Sequence, residues 1–231
     1  MNDYSNQLTN IIKLHKEGNF KASIPILKKF LENDNNNTEL LKLLSFTELQ
    51  VGNINDSIKT INKAISIKPN IAEYFLIRGF AHMKNEDFKM AIKDFQKSID
   101  KDPNLKDAYF NAGVAHSKIN DLQKSVNYYN KVLELDPNDS RAYTNLAYLE
   151  VDMNEYDSAL ININKSIKIN NKNNDLLKVK INNEDLNNDF INSKVLNENS
   201  TAANIAPIDT FFEIAPIDYE IDNLSRKELS S

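Results

Sequence analysis

Pro69, Pro103 and Pro137 stand 34 residues apart, and each closes a stretch with helical apolar spacing. The four glycines keep the same interval in pairs, Gly18 with Gly52 and Gly79 with Gly113. A fixed period of this length marks stacked supersecondary units that cannot bury their apolar faces alone. Frames beginning at Tyr4, Thr38, Ala72, Lys106 and Ser140 each hold two apolar runs separated by a short polar turn. In the fourth frame Tyr109, Ala112, Gly113 and His116 share one helical face, and Asn120-Asp121 breaks the run. Leu122, Ser125, Val126, Tyr129 and Val132-Leu133 form the second run, which Asp136-Pro137 ends because proline cannot continue a helix.

Small residues recur at the eighth place of the frame (Ser45, Gly79, Gly113, Ala147) and at the twentieth (Ser23, Ser57, Ala91, Ser125, Ala159). Antiparallel helices that touch at such places can approach closely. Bulky residues at two other places, Phe20, Ile54, Phe88, Leu122, Tyr156 and Leu27, Ile61, Phe95, Tyr129, Ile163, are expected to fill the layer between units.

This pattern resembles the tetratricopeptide repeat, a helix-turn-helix unit of 34 residues, from Tyr4 to about Asn173. The best matches run from Tyr74 to Pro103, with Gly79, Phe88, Ala91 and Phe95, and from Tyr109 to Pro137. The resemblance implies an all-α fold, a right-handed α-solenoid of five tandem units at 4–37, 38–71, 72–105, 106–139 and 140–173. The first unit departs from the pattern, with Ile11 at the small place, Asn35 for the proline and Pro25 interrupting the second helix, and reads as an N-terminal cap. The fifth has Asn171 where proline is expected. Phe190 lies three periods after Phe88, so 174–203 reads as a degenerate sixth unit or a capping helix.

Composition excludes several functions. A net charge of −5 gives no basic footprint for nucleic acid. The absence of cysteine leaves no disulfide framework and no sulfur-based metal site. No segment approaches the roughly 18 apolar residues of a membrane helix, and the N-terminus lacks the basic and apolar regions of a signal peptide. A soluble cytoplasmic protein without membrane insertion is expected. His15, His82 and His116 read as structural histidines, and Glu39, Glu73 and Asp107 repeat with the period as a charged rim. No phosphate loop or nucleophile motif appears, so the chain is expected not to be an enzyme and to need neither cofactor nor metal.

In the family resembled, the first helices of the units line a concave groove. Ile12, Phe46, Phe80, Val114 and Tyr148 recur at one place there; Leu8, Leu76 and Phe110 lie one turn earlier, where Lys42 and Thr144 break the stripe. An apolar run not needed for the inter-helix core marks a binding surface. Asn111 and Asn145 hold equivalent places at which family members hydrogen-bond an extended peptide, a task suited to an amide that both donates and accepts. Arg141 is the only base of this set. Asp107 and Val179 stand where chaperone-binding members carry lysine or arginine, which argues against a clamp for a carboxylate terminus. The resemblance therefore implies a non-catalytic interaction scaffold or adaptor holding a peptide segment of a protein partner. The alternatives are an architectural subunit using its edges or convex face, and a groove gated by the chain's own tail.

From Asn204 the character changes. Ile205-Ala-Pro207-Ile-Asp recurs as Ile214-Ala-Pro216-Ile-Asp, with Phe211 and Phe212 between. Residues 204–231 carry six acids against Arg226 and Lys227. This composition reads as an irregular, disordered acidic tail or as a short linear motif for a partner.

Overall fold

The computed structural model describes residues 2–173 and, of these, the side chains of 7–170. The expected sixth unit at 174–203 and the acidic tail at 204–231 lie outside the described residues. Among the described residues the fold is all-α: α1 (Asn2–Lys16), α2 (Phe20–Asn33), α3 (Thr38–Gln50), α4 (Ile54–Ile67), α5 (Ala72–Lys84), α6 (Phe88–Lys101), α7 (Lys106–Lys118), α8 (Leu122–Leu135), α9 (Ser140–Asp152) and α10 (Tyr156–Asn173). From α3 onward, the odd-numbered helices begin 34 residues apart, and the even-numbered ones do so from α2. The chain divides into two compact units, one ending at Ala108 and the next beginning at Tyr109.

The turn inside each helix pair has one recurring requirement. Gly18, Gly52, Glu86, Asn120 and Asn154 sit 34 residues apart, and all have positive φ, between 58° and 82°. Left-handed backbone costs a residue with a Cβ about 1–2 kcal/mol, so glycine and asparagine suit the place and Glu86 carries strain. Several helix starts use side-chain caps, whereas Asn19, Asn53 and Asp121 stand at helix starts without making one. Asn37 accepts from Leu40 N at 3.1 Å, Asp87 from Met90 N at 3.2 Å and Asp139 from Ala142 N at 3.2 Å.

In the first unit the core runs through Leu8, Ile11, Leu27, Phe30, Leu40, Leu43 and Leu44, and through Leu41, Ile61, Ala64, Tyr74 and Ile77. The small places are points of close approach. Ser45 Oγ donates to Ser57 O at 2.9 Å, and a Cβ on Gly79 would fall 2.5 Å from Phe95 Cε1. In the second unit Ser125 Oγ donates to Gly113 O at 2.8 Å, and Ala147, Val151 and Ala159 form a buried cluster.

Two expectations are corrected. Pro25 does not interrupt the second helix: α2 runs from Phe20 to Asn33 straight through it. Burial of Ser23, Leu27 and Phe30 on that helix outweighs the one backbone bond the proline removes. The bulky row Phe20, Ile54, Phe88, Leu122, Tyr156 does not fill an interior layer, since its first four members are half-buried and Tyr156 is exposed. These residues open the even-numbered helices, where the turn keeps one side open. The fifth pair lacks the terminal proline, and α10 accordingly extends to 18 residues where α8 has 14.

Candidate functional site

The first helix of each pair carries the predicted site residues, and each unit places its own. In the first unit Phe46 on α3 is 7% exposed and Phe80 on α5 is 3% exposed. Phe46 meets the Phe20 ring edge-on at 6.1 Å, and Phe80 meets Phe95 in the same way at 5.8 Å. In the second unit Phe110 and Val114 on α7 are buried, and Phe110 packs edge-on against Tyr129 at 5.4 Å. The apolar stripe was expected to stand clear of the inter-helix core. It does not: Phe46, Phe80, Phe110 and Val114 are buried, while Ile12 on α1 and Tyr148 on α9 stay half-buried. The physical reason is aromatic size, since rings of this area reach the second helix and gain edge-to-face contacts there.

The polar residues of the second unit come together more closely. Arg141 lies in the first turn of α9, with its guanidinium carbon 4.7 Å from the centre of the Phe110 ring. Asp139 orients it, accepting from Arg141 Nε at 3.2 Å and from Nη2 at 2.9 Å while also accepting from Arg141 N at 3.1 Å. Sequence reasoning missed Asp139, although an aspartate just ahead of a helix start is a capping signal. Asn111 and Asn145, on α7 and α9, are 4% and 5% exposed. The Asn145 amide has no hydrogen-bond partner among the described residues. The amide keeps some contact with solvent, since among the described residues only His15 Nδ1 is a fully buried side-chain nitrogen or oxygen without a partner, so a ligand can reach it.

A second polar row was not anticipated. At the place shared by Glu48, His82, His116 and Glu150, each side chain meets the residue 12 positions on, across its own helix pair. Glu48 Oε2 accepts from Thr60 Oγ1 at 2.8 Å, and Glu150 accepts from Asn162 Nδ2 at 2.8 Å. His82 Nε2 lies 3.7 Å from Asp94, which Arg78 grips through Nε at 2.7 Å and Nη2 at 2.6 Å. His116 stacks on Tyr128 at 5.2 Å and reaches Asp121 through Nδ1 at 3.2 Å. Burial raises the Glu48 and Glu150 carboxyls above their ordinary range. It lowers His116, against the opposing pull of Asp121. These groups are satisfied within their own helix pairs and so serve to fasten them.

His15 differs. Its Nε2 lies 2.9 Å from Ser23 Oγ and 3.3 Å from Thr47 Oγ1, while Nδ1 is buried without a partner. Burial pushes its pKa down to about 4. The described residues contain no cluster of three histidine, cysteine or acidic side chains able to hold a metal ion. No helix among them is long and apolar enough to cross a membrane.

Family models for the tetratricopeptide repeat match residues 72–105, 107–139 and 128–161, so the chain contains tetratricopeptide repeats. Among solved structures, a crystal structure of MamA is 27% identical, with a TM-score of 0.64, covering 70% of this chain and 94% of that one. MamA from Desulfovibrio magneticus RS-1 (19% identical, TM-score 0.65, covering 74% and 97%) and a thermophilic TPR protein of Thermus thermophilus (17%, 0.61, 74% and 94%) share the fold. No curated protein sequence matches the chain. Its class is the all-α solenoid of tandem helix-turn-helix repeats.

Proposed function

We propose that this tetratricopeptide repeat chain is a non-catalytic interaction scaffold that holds an extended segment of a protein partner against the first helices of its repeats. Scaffolding of protein partners is the general role of such repeats. The single observation that supports the specific site is Asn145, a residue 5% exposed whose amide makes no hydrogen bond among the described residues and is not sealed from solvent. An extended peptide supplies one donor and one acceptor per residue, which is what such an amide requires. Asn111 at the equivalent place, Arg141 and the half-buried Tyr148 are the other contacts of this proposed surface. Phe110, under the Arg141 guanidinium, and Val114 are buried residues of the same unit.

A photo-reactive benzoylphenylalanine placed at Tyr148 in the full chain tests the reading. Covalent adducts with a protein partner are expected from that position, and Asn145→Ala should reduce them. A second reading, docking through an edge of the array, draws on α10, where Tyr156 is 40% and Ile161 57% exposed. Adducts formed from a probe at Ile161 and not from Tyr148 would support that reading and reject the first.

A further inference from the structure

The second helices of the first compact unit carry lysines that neither the fold nor the proposed peptide surface uses. Lys21 and Lys29 on α2, Lys59 and Lys63 on α4, and Lys89, Lys93, Lys97 and Lys101 on α6 are all exposed. Within each helix they stand four or eight residues apart, so they share one side of it. Exposed Pro25 completes the stripe on α2, and exposed Ile67 completes the one on α4. The other sides of these helices pack on first helices, with Leu27, Ile61 and Phe95 fully buried there. Together the three helices hold nine lysines against Glu32, Asp56, Asp94 and Asp100. Asp94 is itself buried in the grip of Arg78.

The fold gains nothing from these charges. Like charges four residues apart repel, and Lys21 and Lys89, each the second residue of its helix, also face the positive end of the helix dipole. No compensation is present: the side chains of Lys21, Lys29, Lys59, Lys63, Lys89 and Lys93 make no ion pair or hydrogen bond among the described residues. Lys97, 5.7 Å from the centre of the Phe75 ring, and Lys101, which donates to Asn70 Oδ1 at 2.8 Å, find neutral partners. The second compact unit treats the same place differently. Lys29, Lys63, Lys97, Lys131 and Lys165 recur 34 residues apart, but Lys131 pairs with Glu134 at 2.5 Å and Lys165 lies 5.1 Å from the centre of the Tyr143 ring.

We propose that the exposed face of α2, α4 and α6 adsorbs the protein, without insertion, on an anionic lipid surface. The partner follows from what accompanies the charge. These helices contain no arginine, so the face has no rigid fork to grip a single phosphate or carboxylate. The exposed large apolar residues of the unit are Ile67 and Met90, both on these helices and neither aromatic. Nucleic-acid bases therefore meet no stacking platform, and a protein partner meets none of the aromatic or arginine anchors of a specific interface. Flexible point charges spread over three helices suit a fluid surface whose headgroups move to meet them. Each lysine brought near such a surface strengthens adsorption about fivefold. The chain's net charge of −5 opposes this attraction everywhere else, so the lysine face is the one turned to the lipid. The proposal stands apart from the peptide surface, which uses the first helices.

Vesicle flotation of the full chain tests the proposal. Binding is expected to vesicles of phosphatidylcholine and phosphatidylglycerol in equal parts and not to phosphatidylcholine alone, and it should weaken as added salt screens the charges. Lys63→Glu/Lys93→Glu should lower the affinity for the anionic vesicles by about tenfold or more, with an unchanged circular dichroism spectrum. Lys131→Glu/Lys165→Glu makes the same change in net charge on the second helices of the other unit and should alter the affinity little. Absent binding, or equal binding to both kinds of vesicle, overturns the proposal. An equal loss from the two double variants overturns it too, because net charge and not this face then governs adsorption. Retention on duplex DNA or on polyglutamate without vesicle binding also overturns it, since the partner is then a nucleic acid or an acidic protein.

Discussion

Gly79→Ala is a demanding test of the packing, because helix propensity and tertiary structure predict opposite signs. Gly79 lies inside α5, where alanine is favoured over glycine by about 1 kcal/mol. Its added Cβ, however, would sit 2.5 Å from Phe95 Cε1, 2.7 Å from Cδ1 and 3.1 Å from Cζ. The obstacle is the side of a rigid ring, so it cannot yield by bending a flexible end. Phe95 is fully buried and braced edge-on by Phe80, so the ring moves only if α5 and α6 separate. Overpacking of this kind costs about 1–3 kcal/mol, and the overlap places Gly79→Ala at the top of that range. The net expectation is a loss of about 1–2 kcal/mol, or roughly 2–8 °C in Tm, read by urea unfolding followed by circular dichroism. Phe95→Leu leaves room for the methyl, so the double variant should be more stable than additivity of the two single changes predicts. A Gly79→Ala protein as stable as the parent or more stable would refute the α5–α6 contact. Gly113→Ala, with its nearest atom, Tyr129 Cε1, at 3.0 Å, should be close to neutral.

The turn place offers a complementary pair. Glu86→Gly relieves a φ of 58° and is expected to raise stability by about 0.5–1 kcal/mol after glycine's greater unfolded-state freedom is counted. Gly52→Ala, where a Cβ meets nothing within 4 Å, should lose about 1 kcal/mol from the dihedral alone; both are read as shifts in the urea midpoint. Asp139→Ala removes the α9 cap and should cost about 0.5–2 kcal/mol, with faster hydrogen exchange at the Arg141 and Ala142 amides. Two buried groups of the first unit act oppositely on pH dependence. His15 has a folded pKa of about 4 against 6.5 unfolded, so its contribution is complete above 6.5 and is lost as pH falls toward 4. Glu48 is raised above 4.5, so the folded state holds its proton more firmly, and stability drops as pH rises through the folded value. His15→Gln should flatten the Tm loss between pH 6.5 and 4, and Glu48→Gln should raise Tm at pH 7 and remove the gain on mild acidification. Unchanged Tm profiles in either variant would contradict the burial assigned to that side chain.

Much of the fold was legible because a repeat reports the same constraint several times. The prolines after α4, α6 and α8 mark helix ends, and the small residues mark close approach whether the residue is Ser45 or Gly79. The left-handed turn place was harder to see, because it is filled by glycine twice and then by Glu86, Asn120 and Asn154. The site was legible only in part. Period identifies a place on a helix, but burial depends on which ring or cap arrives from elsewhere in the chain. Phe46 and Phe80 hold the place expected of a ligand surface, yet Phe20 and Phe95 meet them edge-on. Pro25 misled for a related reason, since a propensity rule does not weigh the burial of Leu27 and Phe30 on the same helix.

That limit separates two rows of buried polar residues that a sequence cannot rank. Glu48, His82, His116 and Glu150 look like candidate chemistry, being ionisable and periodic. Each finds its partner 12 residues on, inside its own pair, and a satisfied group has little to offer a ligand. Asn145 looks plainer, a single amide on α9, but its partner is missing among the described residues. Arg141 beside it is not available in the same sense, because Asp139 holds its guanidinium at 2.9 Å. A ligand at this surface therefore gains most from pairing its backbone with the amide and least from presenting a carboxylate to the arginine. Asn145→Ala should accordingly weaken partner capture more than Arg141→Ala does, and the reverse order would return the site to charge recognition.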